Sequence, residues 1–492
     1  MTMIVDIAHT QMEPEGQRMK SKLTRREFLK SSGAVAATTV IGLPAKGKGN
    51  MEQSERPNIL FLFSDQQRWD TLGCYGQKLP VTPNLDKMAS EGVRFEYAFT
   101  TNPLCGPARA CLQTGKYPTE VGCFRNGIAL PLNERTIAHY LSEAGYEVGY
   151  IGKWHLASDK ANNYRVQAVP PERRGGYKDY WLASDVLEFT SHGYDGYMFD
   201  AEGKKVDFKG YRVDCVTDFV LEYLRTRERK RPFFLFVSYI EPHHQNDHNH
   251  FEGPIGSKEK FKNFQVPGDL VGADGDWREE MPDYLGCCNS LDYNLGRIRA
   301  ELERLGLAGN TLIIYTSDHG CHFRTRNSEY KRSCHESSVR IPLIICGPGF
   351  NGGKVINRFA SLLDLAPTVL AAAGVKKPRS MHGRPLQDLV NGTPSDWRKD
   401  VFIQISESQT GRAIRTEKWK YSVSVPDKSN PASGFYYEEF LYDLENDPHE
   451  RNNLVQEPSL ASVRRELSES LKRYILEVEG TKPDILPQPR TT

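Results

Sequence analysis

Eight side chains carry the chemistry this sequence offers, in two sets. Asp65, Gln66, Asp318 and His319 present oxygen and nitrogen donors suited to one divalent cation. Lys153, His155, His243 and Lys331 present N–H donors that could surround an anion. Each is weak alone: a lone histidine after a strand is more often structural, and a lone Asp-His pair is more often a turn. Their shared setting is what joins them. Asn58–Phe63 runs into Asp65-Gln66, Val148–Ile151 into Lys153-Trp154-His155, Phe233–Ser238 into Glu241-Pro242-His243, and Thr311–Thr316 into Asp318-His319.

Continuous apolar runs of this length read as strands buried on both faces, the habit of parallel sheets. Helical patterns lie between them, from Thr82 to Gly92 and over Glu134–Ala144, Arg212–Arg225, Asp283–Leu305 and Leu362–Ala373. Thr82-Pro83 supplies a cap and a first-turn proline, and Gly92 a stop. The alternation predicts an α/β sandwich with a large mixed, mostly parallel sheet. In such sheets ligands sit beyond the carboxyl ends of the strands, where these polar residues fall. After about residue 385 the pattern changes. Val401–Ile405, Arg412–Ile414, Trp419–Val425 and Phe440–Leu444 read as short antiparallel strands, and Pro458–Glu477 as a helix. We therefore expect a catalytic domain over 56–385 and a smaller α+β subdomain over 386–492.

The chain has 492 residues, with 38% hydrophobic and 26% charged residues, which excludes a disordered or collagenous polymer. Lys+Arg is 64 against Asp+Glu 63, so there is no basic excess of the kind nucleic-acid binding needs, and an anion must be read by a local cluster. No apolar run reaches the roughly 18 residues that span a bilayer, so no stable membrane insertion is expected. Ten cysteines in this length make neither a disulfide scaffold nor a zinc-finger spacing. Residues 24–30, Thr-Arg-Arg-Glu-Phe-Leu-Lys, precede a modest apolar segment, Gly33–Leu43, and a small-residue exit at Ala45. This resembles a twin-arginine export signal. It predicts a signal peptide over 1–45, a linker over 46–55, the twin-arginine translocase as partner, and a periplasmic or secreted protein.

The segment Pro103-Leu-Cys105-Gly-Pro107-Ala-Arg109 through Thr114-Gly-Lys116-Tyr-Pro118 resembles the nucleophile motif of type I sulfatases, Cys-x-Pro-x-Arg followed by Thr-Gly-(Arg/Lys)-x-Pro. Gly145–His155 resembles the second signature of that family, and Leu441–Leu454 its C-terminal one. The resemblance covers about residues 56 to 478 and implies the alkaline phosphatase-like fold. It further implies that Cys105 is converted to formylglycine by a formylglycine-generating or sulfatase-maturating enzyme. In the family the hydrated aldehyde attacks sulfur, and the covalent sulfate ester breaks when the second hydroxyl loses its proton and the aldehyde reforms.

By matched position the family implies Asp65, Gln66, Asp318 and His319 as cation ligands, with Cys105 as formylglycine adding an oxygen. Arg109 would orient the formylglycine hydroxyl, Lys153 and Lys331 would clamp sulfate, His155 would partner the hydroxyls, and His243 would protonate the leaving alcohol. Lys116 is equally well read as a helix-surface lysine. Many members carry Asp-Asp and Asp-Asn where this chain has Asp65-Gln66 and Asp318-His319. The site loses a carboxylate. Oxygen-rich sites suit Ca2+, and a histidine moves the preference towards Mn2+ or another divalent cation.

The same pair pattern is similar to choline sulfatases and phosphonate monoester hydrolases, so a small-molecule sulfatase or a phosphonate/phosphodiester hydrolase stays open beside a sulfatase of a sulfated carbohydrate. Cys105, Arg109, Asp318 and Lys331 argue against a non-catalytic sulfatase-like binding protein. Two inserts read as loops. Ala157–Asp200 carries Arg165, Arg173, Arg174, Tyr177, Tyr180, Trp181 and His192, and His243–Asp283 carries His244, His248, His250 and Trp277. Their aromatic and basic side chains are candidates for stacking on sugar rings, and the histidines for a second metal site.

Overall fold

A computed structural model describes residues 56–488 except Thr393; the expected signal over 1–45 and the linker over 46–55 lie outside the described residues. Ten strands form the main sheet. In spatial order they are Lys354–Ile356, Val93–Phe95, Leu343–Cys346, Thr311–Ser317, Asn58–Ser64, Phe233–Ser238, Glu147–Lys153, Tyr180–Ser184, Asp195–Phe199 and Lys205–Lys209. The five from Thr311–Ser317 to Tyr180–Ser184 run parallel to one another. Leu343–Cys346 on one side and the Asp195–Phe199/Lys205–Lys209 hairpin on the other run antiparallel to their neighbours.

Alternate residues of a strand face opposite sides, and both sides here are apolar. Ile59, Phe61 and Phe63 enter one core with Ala108, Ala110, Cys111 and Leu112 of the helix Cys105–Thr114. Leu60 and Leu62 enter the other with Val213, Val216 and Val220 of the helix Arg212–Thr226 and Leu291, Leu295 and Ile298 of the helix Trp277–Arg304. Helices on both faces thus cover the sheet. The long helix begins at Trp277, ahead of the expected Asp283. Pro282 lies early in the helix and removes a single N–H there, while Trp277, Met281 and Tyr284 bury in a cluster of their own.

The insert read as a loop over Ala157–Asp200 instead supplies the strand Tyr180–Ser184 to the parallel block and the strand Asp195–Phe199 beyond it. Tyr177 and Trp181 are core residues, and Tyr150 lies 5.4 Å from Trp181 and 4.9 Å from Tyr177 between ring centroids. Trp277 and His244 are buried as well. These side chains fill the interior.

Near the C-terminus, Asp400–Ile405, Thr410–Thr416, Trp419–Val425 and Phe435–Asp443 form an antiparallel sheet. Asp484–Leu486 adds to its edge in parallel. The helix Ala461–Glu479 packs on this sheet through Leu467, Leu471 and Ile475. Buried Lys420 bridges Glu336 at 2.8 Å and Glu450 at 2.6 Å, tying this sheet to the chain just after Lys331.

Candidate active site

Four adjacent parallel strands end at one edge of the main sheet, and the two predicted sets meet there. Asp318 follows Thr311–Ser317, Asp65 follows Asn58–Ser64, His243 follows Phe233–Ser238, and Lys153 closes Glu147–Lys153. Cys105 opens the helix Cys105–Thr114 over the same edge. Its side chain is 1% exposed, and Asp65, Lys153, Asp318 and His319 are wholly buried. The Gly106 N–H donates to Asn126 Oδ1 at 2.9 Å, and the positive end of the helix faces the cluster.

Local backbone explains the sequence around the strands. Gly152 has φ +106°, and a Cβ there would lie 2.0 Å from the Ser238 carbonyl oxygen, so only glycine lets the Lys153 strand close on its neighbour. Gln66, His155 and Arg332 hold φ values of 68°, 59° and 69°. Left-handed backbone at such residues costs about 1–3 kcal/mol each and clusters at functional sites. The loop carrying Lys331 is braced from the C-terminal sheet: Arg332 pairs with Glu407 at 2.8 Å, and Ser408 Oγ donates to the Arg332 carbonyl at 2.8 Å. Glu407 also accepts from the Asn126 N–H at 2.7 Å, linking that loop to the start of the Cys105 helix.

One donor each from Asp65, Cys105, Asp318 and His319 lies within 4.8 Å of all the others. Cys105 Sγ is 3.3 Å from His319 Nε2, 3.4 Å from Asp65 Oδ1 and 3.0 Å from Lys331 Nζ. His319 directs Nδ1 at the Gly320 carbonyl at 3.0 Å, which leaves Nε2 free to ligate. Asp318 Oδ1 accepts from the Gln66 and His319 N–H groups at 2.9 and 2.8 Å, whereas its Oδ2 is buried without a hydrogen-bond partner. A buried carboxylate oxygen left bare beside a second carboxylate and an imidazole fits a divalent cation. Gln66 Oε1 faces Lys331 Nζ at 3.2 Å, so the residue replacing a carboxylate engages the ammonium directly.

Cations surround this set. Arg109 gives Nη2 to Asp65 Oδ2 at 3.0 Å and Nη1 to Ser238 Oγ at 2.7 Å and the Lys153 carbonyl at 2.8 Å. Lys153 Nζ reaches Asp65 Oδ2 at 2.9 Å and Glu188 Oε1 at 3.0 Å. Lys331 Nζ lies 3.0 Å from His243 Nε2, and His243 Nδ1 lies 2.6 Å from the His244 carbonyl. His155 is near enough to the Cys105 thiol to help lower it, and its Nδ1 is buried without a partner. Lys116, by contrast, pairs with Glu134 at 2.9 Å, a structural ion pair.

The charges set the protonation states. Burial and the Cys105 charge push the Asp65 carboxyl up, but Lys153, His243 and Arg109 outweigh them and hold it well below the usual carboxylate range. Asp318 goes the other way: burial, with the neighbouring Asp65 charge, pushes it up to about 7. Burial also opposes the Cys105 thiolate, yet Lys331, Lys153 and His319 bring that thiol well below its ordinary value. Burial and the Lys331 ammonium lower His243, which favours its neutral form.

All ten predicted residues converge here. Sequence reasoning missed Glu188, Ser238, Asn126 and Glu407. Glu188 was lost because its strand, Tyr180–Ser184, was read as loop. It follows that strand at the same sheet edge, on the short turn Leu187–Phe189.

The sulfatase family profile matches residues 57–375, and the profile of the N-sulphoglucosamine sulphohydrolase C-terminal region matches 328–477. Residues 22–42 match the twin-arginine translocation signal sequence. That signal marks the protein for export by the translocase to the periplasm or beyond, and no helix among the described residues is long and apolar enough to cross a membrane. An ulvan-active sulfatase of Formosa agariphila is 29% identical, over 90% of this chain and 86% of its own. An N-acetylglucosamine-6-O-sulfatase of Bacteroides thetaiotaomicron is 27% identical, over 88% of each chain. A protein solved in complex with its substrate D-glucosamine-2-N,6-O-disulfate superposes with a TM-score of 0.71 at 26% identity, covering 87% of this chain and 99% of that one.

Proposed function

The chain belongs to the sulfatase family and is a sulfuric ester hydrolase, and from that premise we propose that it desulfates a sulfated polysaccharide or its oligosaccharides with Cys105 matured to formylglycine and a divalent cation bound. The single observation that carries the reading is Cys105 Sγ, 3.0 Å from Lys331 Nζ and 3.3 Å from His319 Nε2, at the mouth of a helix and inside the buried donor set. Export and the carbohydrate substrates of the similar proteins support the substrate class.

In this reading Asp65, Asp318, His319, Gln66 and the oxygen borne by residue 105 hold the cation, calcium by its oxygen majority, with manganese as the competitor. When bound, the cation withdraws charge from a sulfate oxygen and acidifies the nucleophile. The chain's residues do the rest. Lys153 and Lys331 are fixed cations for the sulfate oxygens, set in place by Asp65 and Glu188 on one side and Gln66 on the other. Arg109, locked between Asp65 and Ser238, keeps the Asp65 carboxylate oriented. His155 takes a proton from the residue-105 hydroxyl. His243, its Nδ1 anchored on the His244 carbonyl, is the acid for the leaving alcohol: neutral in the empty site, it takes up that proton at Nε2 as the anionic substrate enters.

The Asp65-Gln66/Asp318-His319 pairs favour a second reading, hydrolysis of a phosphonate or of a small sulfate ester. The test is a desulfation panel on sulfated glycans and their oligosaccharides, run beside phenyl phosphonate and choline sulfate. Turnover of glycans above the small esters is expected; preferred turnover of phenyl phosphonate or choline sulfate would replace the first reading by the second.

A further inference from the structure

A second cluster of ligating side chains lies outside the donor set around Cys105. It joins His192, in the turn before the strand Asp195–Phe199, to the loop Asp247–Glu252 that follows His243. The imidazoles of His192 and His248 stack with centroids 4.3 Å apart at 9°, and His250 continues the stack at 5.9 Å and 12°. His192 Nε2 meets Asp247 Oδ2 at 2.8 Å. One donor each from His192, Asp247 and His248 lies within 4.8 Å of the others, and His248, His250 and Glu252 form a second such trio. His192, His248, His250 and Glu252 line a cavity of about 380 Å3.

Three further features bear on a cation. Glu252 Oε1 pairs with His248 Nδ1, and Glu252 Oε2 is itself fixed by the Gly193 N–H at 2.6 Å. A carboxylate on Nδ1 sets the tautomer that leaves Nε2 as a lone-pair donor, the arrangement found behind metal-bound histidines. His250 sets its own Nδ1 on the Phe251 carbonyl at 3.1 Å, with the same result. The ligands are also exposed, at 41%, 57% and 43% for His192, Asp247 and His248, so they can close from 4.8 Å to the ~3.3 Å between donors around a tetrahedral ion. A solvated loop explains an isolated histidine. It does not explain three parallel imidazoles on two segments, two of them with Nδ1 tied back.

We propose that His192, Asp247 and His248 bind a divalent ion of zinc type, with water or His250 in the fourth position and Glu252 as the positioning residue behind His248. Imidazole donors with one carboxylate suit zinc and not calcium. The ion would staple the His192 turn to the Asp247–Glu252 loop. Gln245 carries the consequence inward, since its Nε2 donates to Asp247 Oδ1 at 2.8 Å and to the Glu188 carbonyl at 3.1 Å.

The test is equilibrium dialysis of the exported, mature chain against micromolar zinc with calcium in large excess, counting zinc per chain. One equivalent is expected in wild type. It should persist in Asp318→Ala, disappear in His192→Ala, His248→Ala and Asp247→Asn, and weaken about 10–100-fold in Glu252→Gln. All substituted positions but Asp318 and Glu252 are on the surface, and circular dichroism confirms that each variant is folded. No bound zinc in wild type, unchanged zinc in the three ligand variants, or zinc lost only in Asp318→Ala would overturn the site.

Discussion

Glu188 Oε1 lies 3.0 Å from Lys153 Nζ, so one buried ammonium serves two carboxylates, the other being Asp65 at 2.9 Å. Burial would raise Glu188, but Lys153, then His243 and His155, hold it down at about 2. It therefore stays negative beside a site meant for an anion. Glu188→Gln keeps an acceptor and removes that charge. Inorganic sulfate should then inhibit about tenfold more tightly, the order expected for one buried unit charge a few ångströms away. An unchanged inhibition constant would show that Glu188 has no electrostatic reach to the anion.

If Cys105 matures as proposed, an aldehyde replaces its thiol and the mass of its peptide falls by about 18 Da. Peptide mass spectrometry on active enzyme should show that loss. Cys105→Ala should abolish turnover while the melting temperature falls only slightly, since the change removes one buried atom. Full activity with an intact thiol would refute the assignment.

Cation binding should depend on pH through Asp318. In the cation-free fold a proton on Asp318, whose pKa is raised to about 7, stands where a cation would otherwise balance Asp65. A group raised in the folded state stabilises below its unfolded value and loses that contribution as pH climbs through the folded value. The cation-free protein should therefore weaken as pH rises through about 7. The gain in melting temperature on adding Ca2+ should grow from pH ~5.5 to pH ~8.5, and a chelator should erase it. A gain that shrinks with rising pH would contradict this.

His243 and His155 separate by leaving group. A sugar alkoxide needs a proton and a nitrophenolate needs little help, and general acid catalysis contributes about 10²–10⁴-fold. His243→Ala should therefore reduce turnover of a sulfated sugar far more than that of nitrophenyl sulfate. His155→Ala should reduce both alike. Equal losses on both substrates for His243→Ala would remove it as the acid.

Trp181 is 3% exposed and packs 5.9 Å from Trp154 and 5.4 Å from Tyr150 between ring centroids. Trp181→Ala should cost about 3–5 kcal/mol of stability by leaving a cavity, with KM for an oligosaccharide unchanged. Denaturant unfolding and steady-state kinetics check the two parts. A raised KM with stability intact would return Trp181 to a sugar-binding role.

The parallel core was legible in the amino-acid order, and so were the polar residues that end its strands. Strands such as Asn58–Ser64 are apolar on both faces and must be buried, so the polar residue that ends each one is forced to the rim. The Cys105 motif is local and contiguous, and so is legible in the same way. Tertiary structure decided what the sequence left ambiguous. Whether Tyr177 and Trp181 stack on sugar or on Tyr150 depends on the strand Tyr180–Ser184 pairing with Glu147–Lys153, which no local periodicity announces. Glu188 reaches Lys153, and Glu407 reaches both Asn126 and Arg332, across long stretches of chain. Such contacts arise from the order in which strands are laid side by side, and that order is set by the packing of whole faces and not by the residues that eventually touch.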